Sequence, residues 1–511
     1  MIFKTPRLAA MMAVALSLFI SACAQDSTAP KDSLVIALET GPTLLDPRLS
    51  TDATAAKIEG LIFNGLVKRN DDFSFAPDLA ERWETPAPAR YVFHLRHGVK
   101  FHDGSLFTSK DVKAEYDFIM NPASKSFLRA SLEIVESVET PDDYTVIFNL
   151  KKPDAPFLDT MTLYITPASA KDGFAENPVG TGPFRFIEYK RDESLTLARN
   201  ENYFEGSPKI GALKFRIMPD ETVRTLSLES GEVHMIMNPI TPDLLPRFTK
   251  NQNLNVIVSP GSNYSYLGFN MEDKLTGNIA VRRAIAHAID KEGVIKHILK
   301  GLAKPATGPF APMMKWSESC VARYDYDPAK AMKILDEAGY KDPDGDGPQT
   351  RFTLKYSTSQ NELRKRIAEV FQWQLAKVGI GLDIRSYEWG AFYADIKKGA
   401  FQIFSLTWVG ITDPDILYYM FHSSSLPPAG ANRGRYVNKS LDDILSRGKT
   451  TFGEDRPAIY SEAQKIIADD LPYVSLWHPD NVAVATKRLK NFSLSPDEGI
   501  KSLKTAWIEA N

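Results

Sequence analysis

Apolar and polar residues alternate along this chain with two periods, and the two take turns. Residues 33–37 (SLVIA) read as a short buried strand, 38–48 (LETGPTLLDPR) as a Gly/Pro loop, and 52–65 as a short amphipathic helix. YVFHLRHGVKF, 91–101, alternates every second residue like paired strands, and Asp103-Gly104 follows as a turn signal. SKDVKAEYDFIM, 109–120, has helical spacing with Ser109 as its cap, and YTVIFNL, 144–150, returns to strand. Residues 190–278 are strand-rich with one helix near 220–231. From 279 the helical period dominates: 279–299, 328–339 closed by Gly339, 361–378, 440–450 and 454–470 are helices. Between them, LKYST (354–358), the segment at residues 380–387, FQIFSLTWVG (401–410) and YVSLW (473–477) are strands. Strand and helix alternating in this way predict an α/β lobe.

The N-terminus departs from both patterns. Lys4 and Arg7 precede an apolar run from Leu8 to Ile20, then Ser21-Ala22-Cys23. This is the anatomy of a secretory signal, and the run is shorter than the roughly 20 residues of a membrane span. Ile20-Ser21-Ala22-Cys23 resembles a bacterial lipobox, which implies cleavage before Cys23 and acylation of that residue. Several acyl chains anchor stably. The small polar residues 24–32 then act as a tether between residues 23 and 32 and the fold.

Removing residues 1–22 from 511 leaves 489, more than one hydrophobic core accommodates, so two or more lobes are expected. Losing Lys4 and Arg7 takes the formal charge from −3 to −5, and no basic block suggests nucleic acid. With Cys23 acylated, Cys320 alone remains, so no intramolecular disulfide is available.

Enzyme signatures are absent: no GxSxG, HExxH, P-loop or dinucleotide fingerprint occurs. His94, His97 and His102 lie close in sequence, but on a strand His97 points away from the other two. DPDGDG, 342–347, opens like a calcium loop but has Thr353 where the bidentate Glu belongs, and reads as a turn. No metal or cofactor is expected. The stronger cluster is aromatic and polar: Tyr264 and Tyr266 with Asn263, Gly268 and Asn270; Trp408 and Gly410 before Asp413-Pro414-Asp415; and Arg433 and Arg435 in AGANRGRY, 429–436. Aromatics with a few polar groups suit a small-solute cleft.

Several blocks carry a resemblance to one family. They are PDLAERWE (77–84), YVFHLRHGVKFHDGSLFTSKDV (91–112), PVGTGPF (178–184), NENYF (200–204), VRRAIAHAIDKEGVI (281–295), YDPAKAMKILDEAGY (326–340) and TWVGITDPDILYYMF (407–421). In this order they resemble the family 5 extracellular solute-binding proteins of ABC importers, the oligopeptide, dipeptide and nickel group. The resemblance implies an α/β, periplasmic-binding-protein type II-like fold of two lobes with a hinge, plus an inserted domain. Domain I would be 33–75, 186–278 and 483–511, domain II 76–185 and domain III 279–482. Strands would cross between lobes near 267–280 and 473–483. The resemblance implies a monomer on the periplasmic face of a bacterial membrane, or at the cell surface where the source lacks an outer membrane, that binds a peptide or small solute, closes by a hinge motion and docks on a membrane permease.

The candidate ligand residues are Tyr264, Tyr266, Asn270, Trp389, Trp408, Gly410, Asp413 and Arg433. In peptide-binding members of the family a Trp is followed three residues later by an Asp that pairs with the ligand's α-amino group. Here Ile411 holds that place after Trp408, and the nearest carboxylates are Asp413 and Asp415. Either Asp413 takes over, or the ligand is not a free-amino peptide but a metal chelate, an opine or another organic solute. Arg433 offers a bidentate partner for a carboxylate.

Overall fold

One strand, Tyr473–Thr486, belongs to two sheets at once. The computed structural model describes residues 32–171, 173–345 and 347–509; Cys23, the signal segment and Asp346 lie outside these. The first half of that strand pairs antiparallel with Tyr264–Phe269 and Ala303–Pro305. Its second half pairs with Leu254–Pro260 and Met235–Met237. The combined order runs Ile380–Tyr387, Phe352–Ser359, Ile403–Trp408, Tyr264–Phe269, Tyr473–Thr486, Met235–Met237, Ser33–Leu38, Ala212–Ile217, Ser194–Arg199, Phe184–Lys190.

The first lobe is built on Ser33–Leu38, whose alternate residues Leu34 and Ile36 are fully buried among Phe184, Leu213 and Phe215. The second lobe is built on the parallel pair Phe352–Ser359 and Ile380–Tyr387. Helices Ile279–Ala288 and Glu362–Ala376 bury Val281, Ile285, Phe371 and Leu375 against it. A separate four-stranded antiparallel sheet, Ala80–Ala87, Arg90–Leu95, Thr145–Leu150 and Val135–Asp142, packs under helix Ser109–Met120. Strict alternation of burial along Arg90–Leu95 is the two-residue period of a half-covered sheet.

Local chemistry explains most element ends. Asp52, Asp220, Asn361 and Asn438 each accept a backbone N–H at a helix start. The helix at 109 is capped by Thr108, one residue before the expected Ser109, through a reciprocal box with Asp111. The expected single helix 279–299 is two, Ile279–Ala288 and Lys291–His297, because Asp290 turns its carboxylate onto the Gly293 amide and starts the second. The first passage between lobes lies at 261–263, where Leu254–Pro260 hands over to Tyr264–Phe269. Residues 270–278, expected to cross, instead form a turn held by Asn270 and Asp273. The three clustered histidines part ways: His94 meets Glu84, His97 stacks on Tyr144, and His102 reaches the Gly182 carbonyl. No helix among the described residues is long and apolar enough to cross a membrane.

Candidate functional site

A cavity of about 350 Å³ opens where the two sheets share their strand. The first lobe lends it Asn238, Pro239 and Glu498; the shared strand lends Trp477 and Asp480; the second lobe lends Asn263, Ser265, Arg364 and Thr407. Adjacent strands fix which side chains face it. Ser265 stands opposite Thr407 and their hydroxyls lie 2.9 Å apart. Tyr264 and Tyr266, one residue to either side, point to the other face of the sheet. Both are buried in the second lobe's core, with Tyr264 Oη 2.7 Å from Ser475 Oγ.

A polar chain ties the lobes together beside this cavity. Gly410, held at φ 69° where a side chain would strain, donates its N–H to Asn263 Oδ1 at 3.3 Å. Asn263 Nδ2 donates to Glu498 Oε1 at 2.9 Å, and Lys57 Nζ to Glu498 Oε2 at 2.8 Å. Asp243 adds a second bridge, meeting Lys300 and Arg366 at 3.1 Å each.

Cations and rings alternate along the second lobe. The Arg364 guanidinium lies 5.5 Å from the Trp389 ring, which stacks at 5.7 Å on Tyr393. Arg433 sits 4.4 Å from the Trp408 ring and 5.5 Å from Tyr393. It donates to Tyr266 Oη at 2.9 Å and Tyr393 Oη at 3.2 Å. The structure thus brings Tyr266, Trp389, Trp408 and Arg433 into one array. Trp408 keeps a buried indole N–H without a partner among the described residues.

Asn270 stands apart, its amide donating to the carbonyls of Gly399 and Phe401. Ile411 is 1% exposed and packs in the core. Asp413 is already engaged: Arg456, on helix Asp455–Asp470, grips both its oxygens at 2.9 and 2.8 Å. Burial pushes the neighbouring Asp415 up to about 6, with Lys449 at 3.4 Å partly opposing the shift. Thr412 donates to Asp159 of the small-sheet region at 3.3 Å.

Sequence reasoning missed Arg364, Asp480, Lys57 and Glu498. Arg364 sits in LRKRI among cations of the same helix, and Asp480 sits in the polar stretch His478-Pro479-Asp480-Asn481 between two apolar halves of its strand. Only the shared strand's change of sheets makes these neighbours.

A profile of the bacterial extracellular solute-binding proteins, family 5, matches residues 74–426. The oligopeptide-binding protein AppA of Bacillus subtilis is 29% identical over 544 residues, covering 99% of each chain. Heme-binding protein A of Haemophilus influenzae is 29% identical over 536 residues, covering 96% of this chain and 97% of its own. Among solved structures, NikA from Brucella suis in complex with Fe(III)-EDTA superposes with a TM-score of 0.85 at 26% identity, covering 93% of this chain and 100% of NikA.

Proposed function

The chain belongs to the bacterial extracellular solute-binding proteins of family 5, and from that premise we propose that it captures peptides or peptide-like solutes in the interlobe cavity for its importer. It is a substrate-binding protein of an ABC importer, working outside the cytoplasm or at the cell surface, and not an enzyme. The observation that carries the reading is a cavity walled by both lobes at the strand they share. A ligand touching both walls favours the closed arrangement, and that arrangement presents itself to the permease.

In this reading, acylated Cys23 holds the receptor on the periplasmic face of the membrane, as a monomer on a short tether. Domain II is the insert 76–185, domain III ends near 482, and the first lobe boundary falls at 261–263 because Tyr264–Phe269 pairs within the second lobe. Thermal shift against di- to pentapeptides tests the ligand, since a tight ligand raises the melting temperature by mass action. No shift with any of them, alongside a shift with another solute class, would sink it. Cys23→Ser tests the anchor: it releases the protein from the membrane fraction if the anchor is real.

A second reading keeps the receptor and changes the cargo to a metal chelate, an opine or another organic solute. Ile411 in the core and Asp413 closed on Arg456 favour it, because neither offers an ammonium a partner.

A further inference from the structure

Two charged side chains in the interlobe cavity have no ion-pair partner among the described residues. Arg364 extends from helix Glu362–Ala376 into the wall, braced by the Trp389 ring, and no carboxylate among the described residues comes within ion-pair distance of it. Burial lowers its pKa, and the Tyr356 hydroxyl partly offsets that. Asp480 lies at the point where the shared strand changes sheets: Pro479 still pairs with Ala303, whereas Asp480 pairs with Pro260. Its backbone N–H goes to the Leu302 carbonyl at 3.0 Å. Burial raises its carboxyl pKa, and the exposed Lys304 ammonium opposes this only from beyond ion-pair distance. The cavity's remaining acid, Glu498, is spent on Lys57 and Asn263.

Desolvating a charge without a partner is costly to a fold. At the 408–415 loop this protein avoids that cost, giving Asp413 to Arg456. A cation and an anion left open in one cavity, too far apart to meet each other, form a pair of sockets for a solute of opposite polarity at its two ends. We infer that the ligand is a zwitterion whose ammonium is held by Asp480 on the hinge strand and whose carboxylate is held by Arg364 on the second lobe. The inference rests on the solute-receptor reading and deepens it. It moves the ammonium socket from the 408–415 loop, where Ile411 and the Asp413–Arg456 pair leave none, onto the strand about which the lobes close. A cavity of about 350 Å³ lies at the small end of small-molecule sites, which points to a short zwitterion such as a di- or tripeptide.

The test is titration calorimetry of the full mature chain with the tightest-binding member of a di- to pentaalanine series in four forms: both ends free, N-acetylated, C-amidated, and doubly blocked. In the wild-type protein, acetylation and amidation should each weaken binding at least 30-fold. Arg364→Gln should erase the amidation penalty and keep the acetylation penalty; Asp480→Asn should do the reverse. Arg364→Lys and Asp480→Glu, with melting curves for all four variants, separate a lost socket from a damaged fold: each should retain part of the discrimination. Blocked peptides binding as well as free ones, or penalties that persist in the matching variant, overturn the inference while leaving the receptor reading intact. If no alanine peptide binds, free amino acids with their N-acetyl and amide forms replace the series, and the peptide reading falls if these bind instead. End-dependent binding there upholds the sockets. A protein that binds none of these zwitterions has lost both proposals.

Discussion

At the 408–415 loop, Asp413 is gripped at both oxygens by Arg456, and Asp415 has Lys449 at 3.4 Å. In the interlobe cavity, Arg364 and Asp480 line the wall with no ion-pair partner among the described residues. Both regions are charged and partly withdrawn from water, so burial alone does not distinguish them. The difference lies in who supplies the counter-charge. At Asp413 the fold supplies it, and removing one member should damage the fold. In the cavity the fold does not, and removing a member should damage only binding.

The sharpest way to break that distinction is Arg456→Ala. Removing one member of a buried, bidentate pair leaves its partner uncompensated, and we expect a loss of about 3–5 kcal/mol by urea unfolding. A loss below ~1 kcal/mol would mean the loop charges are not structural. Asp415 gives the next largest effect, and it is pH-dependent. Its folded pKa of about 6 exceeds the ordinary value of 3.8, so between those values the native state holds a proton that the unfolded chain has released. Stability therefore falls as pH rises from about 4 to 6, by roughly 2–3 kcal/mol. Asp415→Asn should flatten that part of the stability–pH curve; an unchanged slope would refute the assignment. Gly410→Ala places a side chain at φ 69°, and a cost of ~1 kcal/mol is expected in the same unfolding assay. At the other extreme, Arg364→Gln and Asp480→Asn should each leave stability within ~0.5 kcal/mol of wild type or raise it. A large loss in either would place these charges with the loop rather than with the ligand.

The helices and strands were legible because periodicity and capping are local. Asp52, Asn361 and Asn438 sit where a cap belongs, and 33–37, 109–120 and 454–470 read within a residue or two of their observed bounds. The break at Ile289-Asp290 was hidden by apolar spacing that continues across it, and only the Asp290–Gly293 bond reveals it. The family was legible in its blocks, whereas the charges lining the cavity were not. Nothing within LRKRI marks Arg364 as the one that turns inward, since that depends on Trp389 and on a lobe some 120 residues away in sequence. Tyr264 and Tyr266 alternate with polar neighbours, and periodicity cannot say which of two faces meets a cavity. The structure sets Ser265 on that face.

The shared strand also dictates an order of assembly. The second lobe's strands span 264–408, and its sheet is completed by 473–477, so it closes on neighbours already made. The first lobe's sheet opens with Ser33–Leu38, waits for Ala212–Ile217 and Met235–Met237, and is sealed by Ala483–Ala485 near the end of the chain. Such distant pairing is slow, because loop-closure entropy must be met before contacts repay it. A chain released stepwise should thus carry an unsealed first lobe until its final residues emerge, and truncation after residue 472 should cost both lobes their common edge rather than free either one.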